Sequence, residues 1–495
     1  MNAETPSLGS KAASSAVFTG ASQIIRLVLT TLSTIVVSRM LAPADYGIVA
    51  MSAPVAGFLL MFQDMGLTQA VVQSKTISHA ESNGLFWINI GISALVALVL
   101  VIAAPFVGQF YGEPRAGVVT AVTAISVLLT GTSLQHAALM NRDMRFGTLA
   151  SVDIANVLAT FLVTVAAALL LHNYWALVIG TTVGTLVQVA LLWGLDGWRP
   201  TLPITLKGTR EMARFGGNLT GFNLTNFVSR NLPNVLIARF TGAAALGLYD
   251  RSYKLMMLPL NNINAPLGRV MLPVLSRLQD DPVRYRRAFL LAIRAMMLIS
   301  IPGIAVSIAT SDGLMIFLLG PTWGGAGPIF FWLALTGLIQ PVANATGWLF
   351  ISSGRGGPML RWGLFSAIVS IIGFVVGLRW GAVGVAASIF FTALMRVPPL
   401  YAYCVKGTSV RQRDLYVAMV NPLIGAAIAW AIAHALLPYL ATGPLLCVAL
   451  PAAYLVAFLV NLMTRDGREL LSTLARLVRS TMSSLASRLM PRKAR

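Results

Sequence analysis

Seven lysine and arginine side chains lie inside segments that are otherwise apolar enough to cross a membrane. They are Arg26, Arg230, Arg251, Lys254, Arg269, Arg294 and Arg396. A charged side chain at the centre of a bilayer costs at least about 2.5 kcal/mol, so such residues usually face a protein interior or a water-filled path. Lysine and arginine there can form charge-assisted hydrogen bonds with an anion. The pattern predicts a membrane protein with a cationic cavity for an anionic substrate.

A polar stripe surrounds one of these cations. Asn223, Asn226, Arg230 and Asn234 recur at spacings of three and four, which places them on one face of a helix. Such a face cannot be directed at lipid. Because Arg230 lies about midway along its apolar segment and no acid is nearby in sequence, we expect the stripe to line a wet cavity.

Two further segments carry cations. Arg26 lies in the first apolar segment at a depth comparable to that of Arg230. A later segment holds Arg251 and Lys254 near its outer end and Arg269 near its inner end. Lys254 follows Asp250 at the i, i+4 spacing that allows an ion pair, which makes it a weaker candidate than Arg230. We expect Arg26, Arg230, Arg251, Lys254 and Arg269 to form the cationic cavity.

One acid and two peripheral cations have more than one interpretation. Asp64 is either a structural partner for Arg26 or a proton or sodium site, and the structural role is favoured. Arg294 and Arg396 lie near predicted inner ends of their segments, where a long side chain can snorkel to water. They are therefore weaker candidates for the cavity.

The elements that must position these residues are transmembrane helices. The chain has 495 residues, is 57% hydrophobic and 11% charged, and has a mean hydropathy of +0.77, whereas soluble domains carry about 25% charged residues. We predict an all-α polytopic membrane protein with about fourteen spans. They cover residues 16–40, 46–73, 84–108, 116–139, 150–171, 174–194, 212–240, 246–276, 288–310, 326–350, 361–378, 382–403, 416–437 and 443–463.

The distribution of basic residues predicts the orientation. Most lysines and arginines fall in alternate loops and in the C-terminal tail, and the positive-inside rule places those segments, with both termini, in the cytoplasm. The net charge of +20 is explained in this way without nucleic acid. The tail after residue 464 combines periodic leucines with arginines. It is either an amphipathic helix on an anionic membrane surface or a positive-inside tail with some helicity.

A weak internal repeat predicts two halves. Residues 35–47 match residues 235–247 at an offset of 200, so that Arg39 pairs with Arg239 and Gly47 with Gly247, and residues 106–112 echo 314–320. The order of these matches predicts two parallel six-helix lobes. We assign residues 1–195 to the first lobe, 196–211 to a cytoplasmic linker, 212–410 to the second lobe, 411–464 to two extra helices and 465–495 to a basic amphipathic tail.

The chain shows no motif of an enzyme or of a nucleotide site. There is no phosphate-binding glycine loop, no nucleophile and base in a plausible context, and no paired-carboxylate site. Two cysteines and four scattered histidines form no metal pattern. We therefore expect no cofactor and no enzymatic activity. Transport would be driven by a proton or sodium gradient, by the membrane potential or by substrate supply and removal.

Four segments carry a resemblance to a known family. Residues 37–47, 63–73, 246–254 and 270–277 resemble, in this order, the polysaccharide flippases of the Wzx kind in the MOP superfamily, with particular likeness to colanic-acid-type exporters. The resemblance covers about residues 11 to 465. It implies two six-helix lobes, as in MATE transporters, around a central cavity lined by spans 1, 2, 7 and 8, with a lipid-tail groove at spans 13 and 14.

The resemblance also implies a function and a place in the cell. Undecaprenyl-diphosphate-linked oligosaccharide would move from the cytoplasmic to the periplasmic leaflet of the bacterial inner membrane, for exopolysaccharide or lipopolysaccharide synthesis. The five cavity cations would bind the diphosphate, and polar residues including Asp64, Asn223, Asn226, Asn234 and Tyr249 would line the path. Partners would be membrane lipids and, in addition, the polysaccharide polymerase and export machinery.

Three other interpretations remain open from the sequence. A lipid II flippase shares nearly all of this physics. A MATE-type antiporter would be expected to show acids in its cavity, because it binds organic cations. A membrane enzyme such as a polysaccharide polymerase would be expected to need a large outer loop with catalytic residues, and the longest predicted outer loop is short, near residues 311 to 325.

Overall fold

The protein is a chain of α-helices joined by short turns. The computed structural model describes residues 8–64, 68, 71–72, 77–202 and 209–489, and their side chains except at 8–21, 64, 209–226, 228–229, 265, 477–478 and 480–489. The helices are α1 (Leu8–Ser38), α2 (Pro43–Asp64), α3 (His79–Tyr111), α4 (Pro114–Arg142), α5 (Phe146–Leu171), α6 (Trp175–Leu195), α7 (Thr209–Arg277), α8 (Pro282–Ala309), α9 (Ser311–Leu319), α10 (Ala326–Ser352), α11 (Gly356–Gly377), α12 (Gly381–Cys404), α13 (Gln412–Leu436), α14 (Thr442–Met463) and α15 (Arg465–Leu489). Short 3₁₀ turns lie at Pro321–Trp323 and Leu378–Trp380.

The predicted all-α polytopic fold is confirmed. Within the described residues, ten stretches are helical, long and apolar enough to cross a membrane. One of them, Gly356–Cys404, contains both α11 and α12. Helices α1 and α7, which carry all five predicted cavity cations and whose side chains are described only in part, are not among the ten. The count of fourteen spans therefore stays a prediction.

Helix α7 contains two of the predicted spans. Its backbone leaves the helical conformation at Gly242, where φ is +86° and ψ is 179°. Residues other than glycine avoid this region of φ, so a glycine at position 242 permits the kink. The kink falls between predicted spans 7 and 8, as the sequence pattern requires.

Local sequence signals set where α3 begins and where it turns into α4. Ser78 and Glu81 form a reciprocal capping box at the start of α3. The helix ends at Gly112, which adopts the left-handed conformation with φ of +67°, and Pro114 opens α4. A two-residue connection of this kind makes the helices neighbours, and α3 packs along α4.

The chain divides into two compact units. The first comprises residues 1–250, 318–323 and 378–382, and the second comprises 251–317, 324–377 and 383–495. In the first, the buried Gln63 amide donates to Ser93 Oγ at 2.9 Å and to the Val127 carbonyl at 2.8 Å, which joins α2, α3 and α4. In the second, α8 packs against α10, α13 and α14 around Phe289, Phe350 and Tyr401. The predicted lobes divide the chain elsewhere, and that assignment stays a prediction.

The first residues of the predicted linker are fixed to the first unit. Buried His136 on α4 contacts Asp196, with 2.7 Å between Nδ1 and Oδ2. The Asn83 side chain donates to the Thr201 carbonyl at 2.8 Å and accepts from the Thr201 amide at 2.9 Å. These contacts therefore hold the segment from 196 to 202 against α3 and α4.

Candidate substrate path

Helices α1 and α7 carry all five predicted cavity cations, and α7 also carries exposed asparagines. A helix with this many polar groups must be shielded from lipid or border water. The assignment of a substrate path to α1 and α7 stays a prediction.

Arg26 on α1 has an acidic partner that the sequence analysis missed. Its Nη1 lies 3.7 Å from Oδ2 of Asp153 on α5, and both side chains are about half exposed, at 51% and 48%. Helices α1 and α5 pack side by side, which brings the two residues together. The signal was present in the sequence, since Asp153 is an acid within predicted span 5. Asp64, the partner considered from sequence, is among the side chains that lie outside the described residues.

We expect the Arg26–Asp153 pair to matter more for transport than for stability. Exposed ion pairs contribute about 0 to 1 kcal/mol. A double-mutant cycle of Arg26→Ala and Asp153→Asn, measured by thermal unfolding of purified protein, should give a coupling energy of about 1 kcal/mol or less. Export in complemented cells should fall clearly with Arg26→Ala. A large unfolding coupling with normal export would make the pair purely structural.

Arg230 is exposed on the part of α7 before the kink. Next to it, Asn231 donates to the Phe227 carbonyl at 3.0 Å, and Asn234 one turn later is partly buried. Among the side chains that the structure describes, Arg230 forms no hydrogen bond or ion pair. Asn223 and Asn226, the other members of the predicted stripe, lie outside the described side chains.

Arg269 is exposed on the part of α7 after the kink. Asn261 and Asn262 precede it on the same helix and are exposed, and Asn262 donates to the Leu258 carbonyl at 2.7 Å. Arg269 likewise has no ion-pair partner within the described part of the chain. Among the described side chains, no group therefore occupies the donors of Arg230 or Arg269, each of which lies in its own compact unit.

The residues around position 250 are more enclosed. Tyr249 is 2% exposed and Asp250 6% exposed, whereas Arg251 is partly buried and Lys254 exposed. The intervening Ser252 is buried and donates to the Ala326 carbonyl at 3.2 Å. The assignment of Tyr249, Arg251 and Lys254 to the path stays a prediction.

The two peripheral cations are engaged by other groups. Arg396 on α12 donates to the hydroxyls of Ser366 and Ser370 and to the Thr392 carbonyl. Arg294 on α8 donates to Asp466 at the start of α15. These partners explain how the two charges are accommodated.

Close packing joins the two copies of the internal repeat. A Cβ atom added at Gly47 would overlap the carbonyl oxygen of Ala243, and one added at Gly247 would overlap the carbonyl oxygen of Pro43. Positions 43 and 243 are equivalent in the repeat, as are 47 and 247. The contact between residues 47 and 243 therefore has the same form as the contact between residues 247 and 43, with the two repeats interchanged. Only glycine permits these two contacts.

A second pair of contacts is related by the same interchange of the two repeats. Arg39 Nε donates to the Leu318 carbonyl at 3.3 Å, and the Arg239 guanidinium lies 5.9 Å from the centroid of the Phe110 ring. Positions 39 and 239 are equivalent in the stronger repeat, and 110 and 318 in the fainter one. The repeat inferred from weak sequence matches is thus reflected in how its members pack, all within the first compact unit.

This fold is shared with known multi-pass membrane transporters. The lipid II flippase MurJ, in an inward closed conformation, matches with a TM-score of 0.70 at 13% identity over 93% of this chain and 99% of its own. An inward-facing MATE multidrug transporter of the MOP superfamily matches with a TM-score of 0.57 at 12% identity over 81% of this chain and 95% of its own. At these identities the likeness shows the fold alone.

The sequence comparisons define the family. A family described as polysaccharide biosynthesis protein matches residues 36–328, more than half of the chain, and the chain belongs to this family. Similar proteins include the Escherichia coli K12 lipopolysaccharide biosynthesis protein WzxC, 25% identical over 82% of this chain and 84% of its own length, and the Bacillus subtilis 168 teichuronic acid biosynthesis protein TuaB, 25% identical over 65% and 72%. The Rhizobium meliloti 1021 succinoglycan biosynthesis transport protein ExoT is 25% identical over 68% of each chain. The predicted resemblance to Wzx-type flippases is confirmed.

Proposed function

We propose that this protein flips undecaprenyl-diphosphate-linked oligosaccharide repeat units across the bacterial inner membrane by alternating access. The repeat units would serve exopolysaccharide or lipopolysaccharide synthesis. The family match over residues 36–328 carries the proposal, because relatives in it are named for the synthesis or transport of different surface polysaccharides. Both termini would lie in the cytoplasm, as the loop charges predict.

The exposed arginines of α7 fit the chemistry of this substrate. A diphosphate carries negative charge that cannot enter hydrocarbon without partners. Arginine offers a planar fork of donors that binds phosphate oxygens bidentately and stays charged at any physiological pH. Arg230 and Arg269 would supply such donors, and the asparagines near them could bind sugar hydroxyls. The lipid tail can remain in the bilayer while the head group crosses.

A loss-of-function experiment tests the proposal directly. We expect deletion of the gene in its host to accumulate undecaprenyl-diphosphate oligosaccharide on the cytoplasmic leaflet, and the intact gene to reverse this. Accumulation can be measured by lipid extraction and mass spectrometry, and the leaflet by access of a periplasmic glycan-modifying enzyme. Accumulation of lipid II instead would identify a peptidoglycan flippase. Changed sensitivity to cationic drugs with normal lipids would identify an antiporter.

A further inference from the structure

A charged cavity lies in the second compact unit, apart from the cations of α1 and α7. It has a volume of about 480 Å³ and is bordered by the first turns of α8, by the loop before α13 and by the start of α15. Pockets for small ligands usually measure about 300 to 1,000 Å³. The lining combines Leu290, Leu291 and Val283 with arginines. Apolar and cationic groups together suit a ligand with an anionic head and an apolar part.

Four arginines line this cavity. They are Arg286, Arg287, Arg294 and Arg411. Arg287 and Arg294 are seven residues apart, so both lie on one face of α8. Arg286 forms a bidentate pair with Asp414 of α13, at 2.6 Å from Nε and 2.5 Å from Nη2. Asp414 is buried, which makes that pair a fixed part of the wall.

The other two paired arginines are held by α15. Arg287 Nε donates to Glu469 at 2.5 Å, and Arg294 donates to Asp466. Both acids lie in the first two turns of α15, and their side chains are 38% and 50% exposed. Arg287 is 70% exposed, so its pair contributes little net stability, whereas Arg294 is only 17% exposed and needs an anionic partner. An anion that replaces the two carboxylates must therefore bind both arginines.

The positive charge of α15 makes its contact with the arginines of α8 unusual. Apart from Asp466 and Glu469, the charged residues of this helix are all arginines, including Arg465, Arg468 and Arg476. A basic helix is repelled by an arginine-rich surface. Its two acids place carboxylate oxygens where arginine forks can bind them, and a phosphate group offers the same kind of acceptor with more oxygens. The carboxylates of Asp466 and Glu469 thus take positions on Arg294 and Arg287 that phosphate oxygens could take.

We infer that this cavity binds an anionic phosphate group through Arg287 and Arg294, in exchange for the α15 carboxylates of Glu469 and Asp466. The site lies on the side that the loop charges predict to be cytoplasmic. The phosphate can come from the head group of an anionic phospholipid or from solution. Occupation would release the start of α15 from α8. The inference does not depend on the substrate that the protein transports.

Binding can be measured on the full-length protein in nanodiscs of neutral phosphatidylcholine. One arm adds short-chain phosphatidylglycerol and the other adds inorganic phosphate, at constant ionic strength. The release of α15 is followed by hydrogen exchange at residues 465–472. We expect saturable binding with faster exchange there. A response to phosphatidylglycerol alone identifies a lipid head group, and a response to inorganic phosphate identifies a soluble source. No response in either arm overturns the inference.

Paired variants give opposite expectations. Arg287→Gln with Arg294→Gln should weaken binding roughly tenfold or more, because charge-assisted hydrogen bonds to phosphate are lost. Asp466→Asn with Glu469→Gln should strengthen binding several-fold, since the competing carboxylates are neutralised. Arg361→Gln is the control, because Arg361 is an exposed arginine of the same compact unit that does not line this cavity. If both double variants weaken binding, the acids serve only to dock α15, and the exchange is excluded.

Discussion

Replacement of Arg230 by alanine is expected to abolish polymer export while the protein still inserts into the membrane. Arg230 is exposed on α7 and, among the described side chains, has no hydrogen-bond or ion-pair partner. Its removal therefore breaks no described contact of the folded protein. It does remove a donor fork from the proposed diphosphate path, where a charge-assisted bond contributes about 1.5 to 3 kcal/mol. Export can be measured as surface polysaccharide in a complemented deletion strain, with membrane protein amounts measured by immunoblot.

Two further variants separate the role of this position from that of charge in general. Arg379→Ala removes an equally exposed arginine from the 3₁₀ turn before α12, outside the helices of the proposed path, and should export normally. Arg230→Lys keeps the charge but loses bidentate geometry, so export should be intermediate. Normal export by Arg230→Ala, at normal protein amounts, would contradict the cationic path.

The helical fold and the repeat were accessible from the sequence because both depend on local or periodic patterns. Apolar runs bounded by glycine, proline and basic loops predicted the helices, and Gly242 falls in the gap between predicted spans 7 and 8. The glycines at 47 and 247 occupy equivalent positions in the repeat. Their contacts with Ala243 and Pro43 show why those positions cannot carry a side chain.

Pairings between distant segments could not be predicted in the same way. Asp153 lies 127 positions from Arg26, and its role depends on the packing of α1 against α5. No sequence pattern links Asp466 and Glu469 to a partner, and only the fold places them on Arg294 and Arg287. The sequence indicates which charges are costly in a membrane, whereas three-dimensional packing determines which of them are neutralised.

Alanine at Gly47 is expected to impair both folding stability and export, and alanine at Gly247 to do the same. At each position the new methyl group would overlap a backbone carbonyl oxygen, which has no rotamer that moves it away. The helices must separate, and overpacking of this kind costs about 1 to 3 kcal/mol. Gly91→Ala on α3 is the matched control, because an added Cβ there meets nothing within 4 Å. It should be neutral or slightly stabilising, since alanine is favoured over glycine in a helix.

Separation of these helices can be detected apart from the loss of stability. Ser52 lies on α2 beyond Gly47 and is 5% exposed. In a background with Cys404 and Cys447 replaced by serine, Ser52→Cys should react slowly with an impermeant maleimide added from the periplasmic side, and faster when Gly47→Ala is added. Gly91→Ala should leave the labelling rate unchanged. Equal labelling rates and equal thermal midpoints for Gly47→Ala and Gly91→Ala would mean that the repeats do not pack this closely in the membrane. Faster labelling with an unchanged overall fold would show that the contact between the repeats controls access from the predicted outer side.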